Sequence, residues 1–196
     1  MATSVVSDTG VPTIAAGTLS AGEREELRAL GALFERGDLA RLGRGVSVGP
    51  IAHVAISDNT VLNEAYRYAK PSSFSRGIRF DLGDKTMLMI SGTASIDTAG
   101  RTVHAGDFRA QLWRTYRNIT ALLGSERATW HDVVRTTCYL RDIERDYKDF
   151  NEVRSAFFGW LALDPLPAST GIQARLCRED LLVEIEALAI TPRFVA

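Results

Sequence analysis

Apolar and polar positions alternate most cleanly near the end of the chain. From Leu181 to Ile190 one face of an extended run carries Leu182, Glu184, Glu186, Leu188 and Ile190, and the other carries Leu181, Val183, Ile185, Ala187 and Ala189. This run and the one beginning at Ser169 read as two strands joined by a short polar turn. Further back, Phe74 to Leu82 and Lys85 to Ser95 flank Gly83-Asp84, a two-residue turn between β-rich runs, which predicts a hairpin. Met87-Leu88-Met89-Ile90 is apolar on both faces, so that strand is expected to be covered on both sides. A helical period takes over twice. Asp107 caps a helix whose inward stripe is Phe108, Leu112, Tyr116, Ile119 and Leu123, closed by Gly124. A second helix, Asp146 to Trp160, carries Tyr147, Phe150, Val153, Phe157 and Leu161. Between them Val133 to Leu140 is strand-like, and Asp164-Pro-Leu-Pro167 is a rigid connector.

The order from Phe74 is therefore β-β-α-β-α-β-β, which predicts an α+β fold with one mixed sheet and two helices on one face. Two helices leave the opposite face open, and symmetric self-association is the ordinary way to bury it. The first 70 residues read as an N-terminal extension to a main domain over 71–196. Residues 1–18 form a loose polar arm. Ser20 and Glu23 have capping-box spacing for a surface helix over Gly22 to Arg36, Val46 to Ser57 is strand-like around Pro50, and Thr60 to Lys70 is a short helix stopped by Pro71.

Composition narrows the function classes. With 23 Lys and Arg against 24 Asp and Glu, the chain has no electrostatic footprint for nucleic acid or an anionic membrane surface. It shows neither a basic, apolar leader nor a run long enough to span a bilayer, so the expected location is cytoplasmic. Cys138 and Cys177 read as reduced thiols inside strand-like runs. His53, His104 and His131 are isolated, with no metal-ligand spacing, so neither a metal nor a cofactor is expected. His53 reads as a half-buried strand histidine.

The chemical anomaly is Glu184, a carboxylate between Val183 and Ile185. Burying it unpaired costs several kcal/mol or raises its pKa, which makes it a candidate general acid or base. Glu186 lies on the same face, either sharing one cavity with Glu184 or pairing with an arginine. Arg76 and Arg79 on the first strand either pair with a ligand or are solvated, salt-bridged groups; Thr93 and Ser95 either bond a ligand or end their strand. Cys177 is a packed thiol or a reactive one, with only Arg178 beside it to lower its pKa.

The runs Val133-Val-Arg-Thr-Thr-Cys-Tyr-Leu-Arg-Asp142, Asp149-Phe-Asn-Glu-Val-Arg-Ser-Ala-Phe-Phe158, Pro167-Ala168 and Val183-Glu-Ile-Glu-Ala-Leu-Ala189, with Ser91-Gly92, resemble the YjgF/Rid superfamily over about residues 72–190. The resemblance implies a chorismate-mutase-like α+β fold, a homotrimer with a barrel-like core, and small-molecule pockets at the subunit interfaces. It places that family's pocket glutamate at Glu184 and its helix asparagine at Asn151. Two positions depart from the pattern. The arginine that follows Pro-Ala in the imine deaminases and pairs with the substrate carboxylate is Ser169 here, and the pocket tyrosine is Phe74.

A narrower resemblance runs through Ser72-Ser-Phe-Ser-Arg-Gly77, Ser91-Gly-Thr-Ala-Ser-Ile96 and Cys177-Arg-Glu-Asp-Leu-Leu-Val-Glu-Ile185, which are similar to the Rid-like half of the chorismatases. Those enzymes hydrolyse or rearrange chorismate with loss of pyruvate. The resemblance implies Glu184 as the acid that protonates the enolpyruvyl methylene and Cys177 as a pocket residue bearing on the product. The expectation is thus a chorismatase-like enzyme of secondary metabolism, with Glu184 and Cys177 catalytic and Arg76, Phe74, Thr93, Asn151 and Ser169 binding substrate. The alternatives are an enamine/imine deaminase and a non-catalytic ligand-binding trimer.

Overall fold

The computed structural model describes Val5–Val6, Pro12–Thr13 and residues 51–193. The chain divides into two units, residues 1–50 and 51–196. In the first, β1 (Val5–Val6) pairs antiparallel with β2 (Pro12–Thr13). The arm and the helix expected over Gly22 to Arg36 otherwise lie outside the described residues.

The second unit runs β3 (His53–Ala55), β4 (Gly77–Leu82), β5 (Lys85–Ala94), α1 (Phe108–Ser125), β6 (Val133–Leu140), α2 (Ile143–Trp160), β7 (Ala168–Gln173) and β8 (Val183–Pro192). The Gly83-Asp84 turn forms as its sequence dictates, with Gly83 at φ +64°, and sets β4 against β5 from Leu82↔Lys85 to Gly77↔Ile90. The six strands lie in the order β3-β4-β5-β8-β6-β7, antiparallel except for the parallel β6–β7 pair. The two closing strands are therefore not neighbours: β6 lies between them, because β7 enters parallel to β6 after the α2 crossover.

Asp107 and Asp142 cap the two helices through backbone N–H groups of Ala110 and Arg145. The second helix starts three residues earlier than its sequence pattern indicated, at Ile143. Its stripe holds at Phe150, Val153 and Phe157, whereas Tyr147 is 49% exposed. Tyr116 of α1 stacks on Phe157 of α2 at 4.5 Å between ring centres, with Trp130 edge-on to both. This aromatic seam joins the helices, and α1 packs onto β5 and β8. The helix side of β8 is Val183, Ile185, Ala187 and Ala189, all buried.

Among the described residues no helix covers the opposite sheet face. Ile78, Phe80 and Leu188 are partly buried there, and Met89 and Ile190 are 51% and 39% exposed. Other expectations need correcting. The helix over Thr60 to Lys70 shrinks to one 3-10 turn, Ala65–Arg67, and His53 on short β3 is exposed rather than half-buried. Cys177 is an exposed loop residue outside any strand, while Cys138 is buried in β6. No helix among the described residues is long and apolar enough to cross a membrane.

Candidate functional site

Glu184 sits at the start of β8, opposite Ala94 of β5 and Tyr139 of β6. The β5–β8 register breaks between Ile90 and Thr93, and the break brings Gly92 under the Glu184 carboxylate. A Cβ at Gly92 would lie 2.0 Å from Glu184 Oε1, so only glycine leaves room for the carboxyl group there. Burial raises the Glu184 pKa above the usual carboxylate range, repulsion from Glu186 adds to this, and Arg76 partly opposes it. Among the described residues Glu186 pairs with no arginine; its Oε2 accepts a 3.0 Å hydrogen bond from the Tyr139 hydroxyl.

Facing Glu184 across the same cavity is Arg76, only 3% exposed. Its backbone is tied down by Ser91, whose N–H donates to Arg76 O at 3.0 Å and whose hydroxyl donates to Ser75 O at 2.8 Å. Arg76 Nε donates to Asn63 O at 3.0 Å and Nη2 to the Tyr68 hydroxyl at 2.5 Å. The guanidinium lies between two rings, 5.1 Å from the centre of Tyr68 and 5.2 Å from that of Phe74. Burial lowers the Arg76 pKa, while Tyr68 and then Glu64 support its charge. Glu64 is itself 2% exposed, and neither of its carboxylate oxygens has a hydrogen-bond partner among the described residues. Arg76 Nη1 is the guanidinium nitrogen without a partner among those residues, so it is the donor left for a ligand.

The remaining wall comes from the loop between β7 and β8, which carries Cys177, Arg178 and Leu181. Two polar side chains hold it. Buried Gln111 of α1 donates to Asp180 O and accepts from Leu182 N–H, both at 2.8 Å. Arg141 donates to the carbonyls of Leu181 and Arg178, and Arg178 donates to that of Gly100. The cavity so enclosed measures about 130 Å³ and includes Tyr68, Phe74, Arg76, Gly92, Cys177 and Glu184 in its lining. Arg178, Gln111 and Tyr68 escape a linear reading, because each acts through a partner at least eight residues away.

The other candidate residues lie elsewhere. Thr93 is 1% exposed and its hydroxyl donates to Ser91 O at 2.8 Å; Ser95 similarly donates to Val103 O. Arg79 is held by Asp81 at 3.0 Å and Glu126 at 3.2 Å, away from the cavity. Asn151 and Ser169 come together through Arg154, which donates to Asn151 Oδ1 at 2.6 Å and to Ser169 Oγ at 3.3 Å. Ser169 pairs with Thr136, whose other neighbour is the buried, helix-side Ala187. Within one chain this cluster and Glu184 thus face opposite sides of the sheet. Arg154 makes no ion pair among the described residues and lines a separate groove of about 380 Å³ with Phe158, Leu163 and Leu166. Among the described residues, no group of three or more His, Cys, Asp or Glu side chains is placed to hold a metal ion.

The chain is similar in sequence and in fold to known proteins. A "RutC family protein" of Pyrococcus abyssi is 33% identical over 102 residues, covering 52% of this chain and 76% of the relative. The 2-iminobutanoate/2-iminopropanoate deaminase of Salmonella typhimurium is 29% identical over 110 residues, covering 56% and 82%. Among solved structures, E. coli TdcF with bound serine superposes with a TM-score of 0.58 at 22% identity, covering 70% of this chain and 98% of that one. The YjgF gene product of E. coli superposes with a TM-score of 0.57 at 24% identity and the same coverage. These likenesses establish the expected mixed α+β fold of the YjgF/Rid proteins. The profile of the family described as endoribonuclease L-PSP matches residues 67–191, so the chain belongs to that family, the YjgF/Rid superfamily.

Proposed function

We propose that this protein is an acid–base enzyme acting on a small carboxylic acid that carries a carbonyl, an imine or an activated double bond. Arg76 holds the substrate carboxylate, and Glu184 gives or takes the proton at the reacting carbon. The observation that carries the reading is the lining of one cavity by both groups, the guanidinium with a free Nη1 and the carboxyl with a raised pKa. A carboxyl group whose pKa is raised holds its proton to higher pH than an ordinary carboxylate, which suits general acid catalysis. In the chorismatase-like form of the reaction, Glu184 protonates the terminal carbon of an enol ether. Water then adds at the ether carbon, and the adduct collapses to pyruvate and the ring alcohol. Cys177, exposed on the cavity wall, would contact the substrate ring.

Cavity size bears on the substrate. At about 130 Å³ the space falls well short of the roughly 300–1,000 Å³ of pockets for drug-sized ligands, so a ring the size of chorismate must extend past it. We assign that outer wall to a neighbouring copy in a homotrimer, which would also bring the Asn151–Arg154–Ser169 cluster toward the Glu184 side. A second reading, hydrolysis of a small 2-imino acid, is favoured by the same small volume and by the 29% identity to the Salmonella deaminase. The near-balanced charge, 23 basic against 24 acidic side chains, supports a small acid over RNA.

The test is incubation with chorismate and, separately, with 2-aminoacrylate generated in situ, following pyruvate release by wild type and Glu184→Gln. Release from chorismate that the variant loses identifies the enol-ether reaction, and accelerated release from 2-aminoacrylate identifies the imine reaction. Release from neither, with a small molecule retained by the pure protein, would refute the enzyme reading in favour of a binding protein.

A further inference from the structure

A buried carboxyl group behind the cavity has no part in the reading above. Glu64 is 2% exposed, and neither of its side-chain oxygens meets a hydrogen-bond donor among the described residues. A carboxylate taken out of water with no donor is strongly destabilising unless a cation offsets it. The turn that carries Glu64 supplies the cation. Asn63 O accepts from Arg76 Nε at 3.0 Å and the Tyr68 hydroxyl accepts from Arg76 Nη2 at 2.5 Å, so segment 63–68 grips the guanidinium at both ends, with Glu64 between them in the chain. The Glu64 backbone is fixed as well: its N–H donates to Asn63 Oδ1 at 2.9 Å and its carbonyl accepts from Arg67 N–H at 2.9 Å. Ala65, the next residue, lines the cavity with Arg76, whereas Glu64 is not part of the lining. A ligand there meets Arg76 without touching Glu64. The negative charge of Glu64 supports the positive charge of Arg76, while Arg178 opposes it.

We propose that Glu64 is the buried counter-charge of Arg76, a positioning residue that holds down the affinity of the cavity for anions so that a bound carboxylate can leave. This rests on the reading of Arg76 as the carboxylate anchor. With Glu64 behind it, the guanidinium is partly compensated before any ligand arrives, and the ligand carboxylate adds to a charge already built into the fold. Because the pair is buried, salt screens it little. Removing the Glu64 charge leaves Arg76 and Arg178 uncompensated beside the cavity, so anions bind more tightly. A residue that only braced the turn would do the opposite, since its loss would loosen Arg76 and weaken binding. Over-tight binding of substrate or product slows turnover, and the counter-charge guards against it.

The experiment titrates the full chain with propionate and with its uncharged analogue propionamide by ligand-observed NMR. It compares wild type, Glu64→Gln, Glu64→Met, Arg76→Gln and the double variant combining Glu64→Gln with Arg76→Gln. Replacing a buried ion by an uncharged group of similar volume is often neutral or stabilising, so both Glu64 variants should fold, and either one carries the test alone. Each should bind propionate on the order of tenfold more tightly than wild type, the scale of one charge acting over several ångströms inside a protein, and bind propionamide unchanged. Equal or weaker propionate binding in the folded Glu64 variants overturns the inference and leaves the Arg76 anchor standing. Equal tightening of propionamide overturns it too, as does unfolding of both variants, which would assign Glu64 to the fold. A tightening that persists between Arg76→Gln and the double variant also overturns it, since the charge would then act through another group. If wild type does not bind propionate, or Arg76→Gln binds it as wild type does, the anchor falls and the inference with it.

Discussion

In β8 a carboxyl group shares its surroundings with a second one two residues on, and the consequences can be followed by pH. Glu184 has its pKa raised first by burial and then by Glu186, so a reaction that needs its proton slows as pH rises through that raised value. Glu186→Gln removes the repulsion. The basic limb of the rate profile should therefore move to lower pH in that variant, with the plateau rate kept. Glu184→Gln should lower the rate by on the order of 10²–10⁴-fold. Stability should change in the opposite sense. A carboxyl whose pKa is raised by folding contributes stability below the pKa of the unfolded chain, about 4.3, and loses it as pH rises through the folded value. Glu184→Gln should thus melt above wild type at neutral pH, with the difference vanishing in acid. An equal melting temperature at both pH values would show that the carboxylate is satisfied by contacts that Gln loses.

At the scale of elements, the site depends on a defect in the β5–β8 ladder. The break between Ile90 and Thr93 places Gly92 beneath the Glu184 carboxyl, with 2.0 Å left for a Cβ. Gly92→Ala should push the side-chain end of Glu184 aside and cost activity on the scale of Glu184→Gln. Its stability cost should stay near 1 kcal/mol or less, since the clash is with the end of a flexible side chain. A melting curve beside the pyruvate-release assay separates the two effects. Local sequence signals account for much of this framework. The Gly83-Asp84 turn, the Asp107 cap, Val133–Leu140 and the alternation through β8 are each dictated within a few residues, and each forms as read. Longer-range features were not legible in this way. The Thr60 to Lys70 segment reads as a short helix, but only one 3-10 turn forms there, followed by Tyr68, whose hydroxyl accepts from Arg76. Glu184 stood out because a carboxylate interrupts an apolar strand. Arg154 did not, since its meeting with Ser169 depends on β7 pairing beside α2.

For the whole molecule, the open sheet face is the unmet requirement. Met89 of β5 pairs across the ladder with Leu188 of β8, and Ile190 of β8 with Met87 of β5; Met89 and Ile190 are 51% and 39% exposed beside partly buried Ile78, Phe80 and Leu188. An apolar patch of this kind on a sheet is ordinarily an interface. In a trimer closed around these faces, Met89 would be buried against a neighbouring copy, and a charge there would be desolvated without a partner at a cost of several kcal/mol. Light scattering during gel filtration should therefore give three times the 21.5 kDa chain mass for wild type and a single chain mass for Met89→Lys. The variant should remain folded by circular dichroism, because Met89 points away from the Leu88 and Ile90 core beneath the helices. Its activity separates two roles of assembly. If the neighbouring copy walls the small Arg76–Glu184 cavity, folded monomers will release pyruvate far more slowly than trimers; if the cavity suffices alone, assembly serves stability and the monomer keeps its rate.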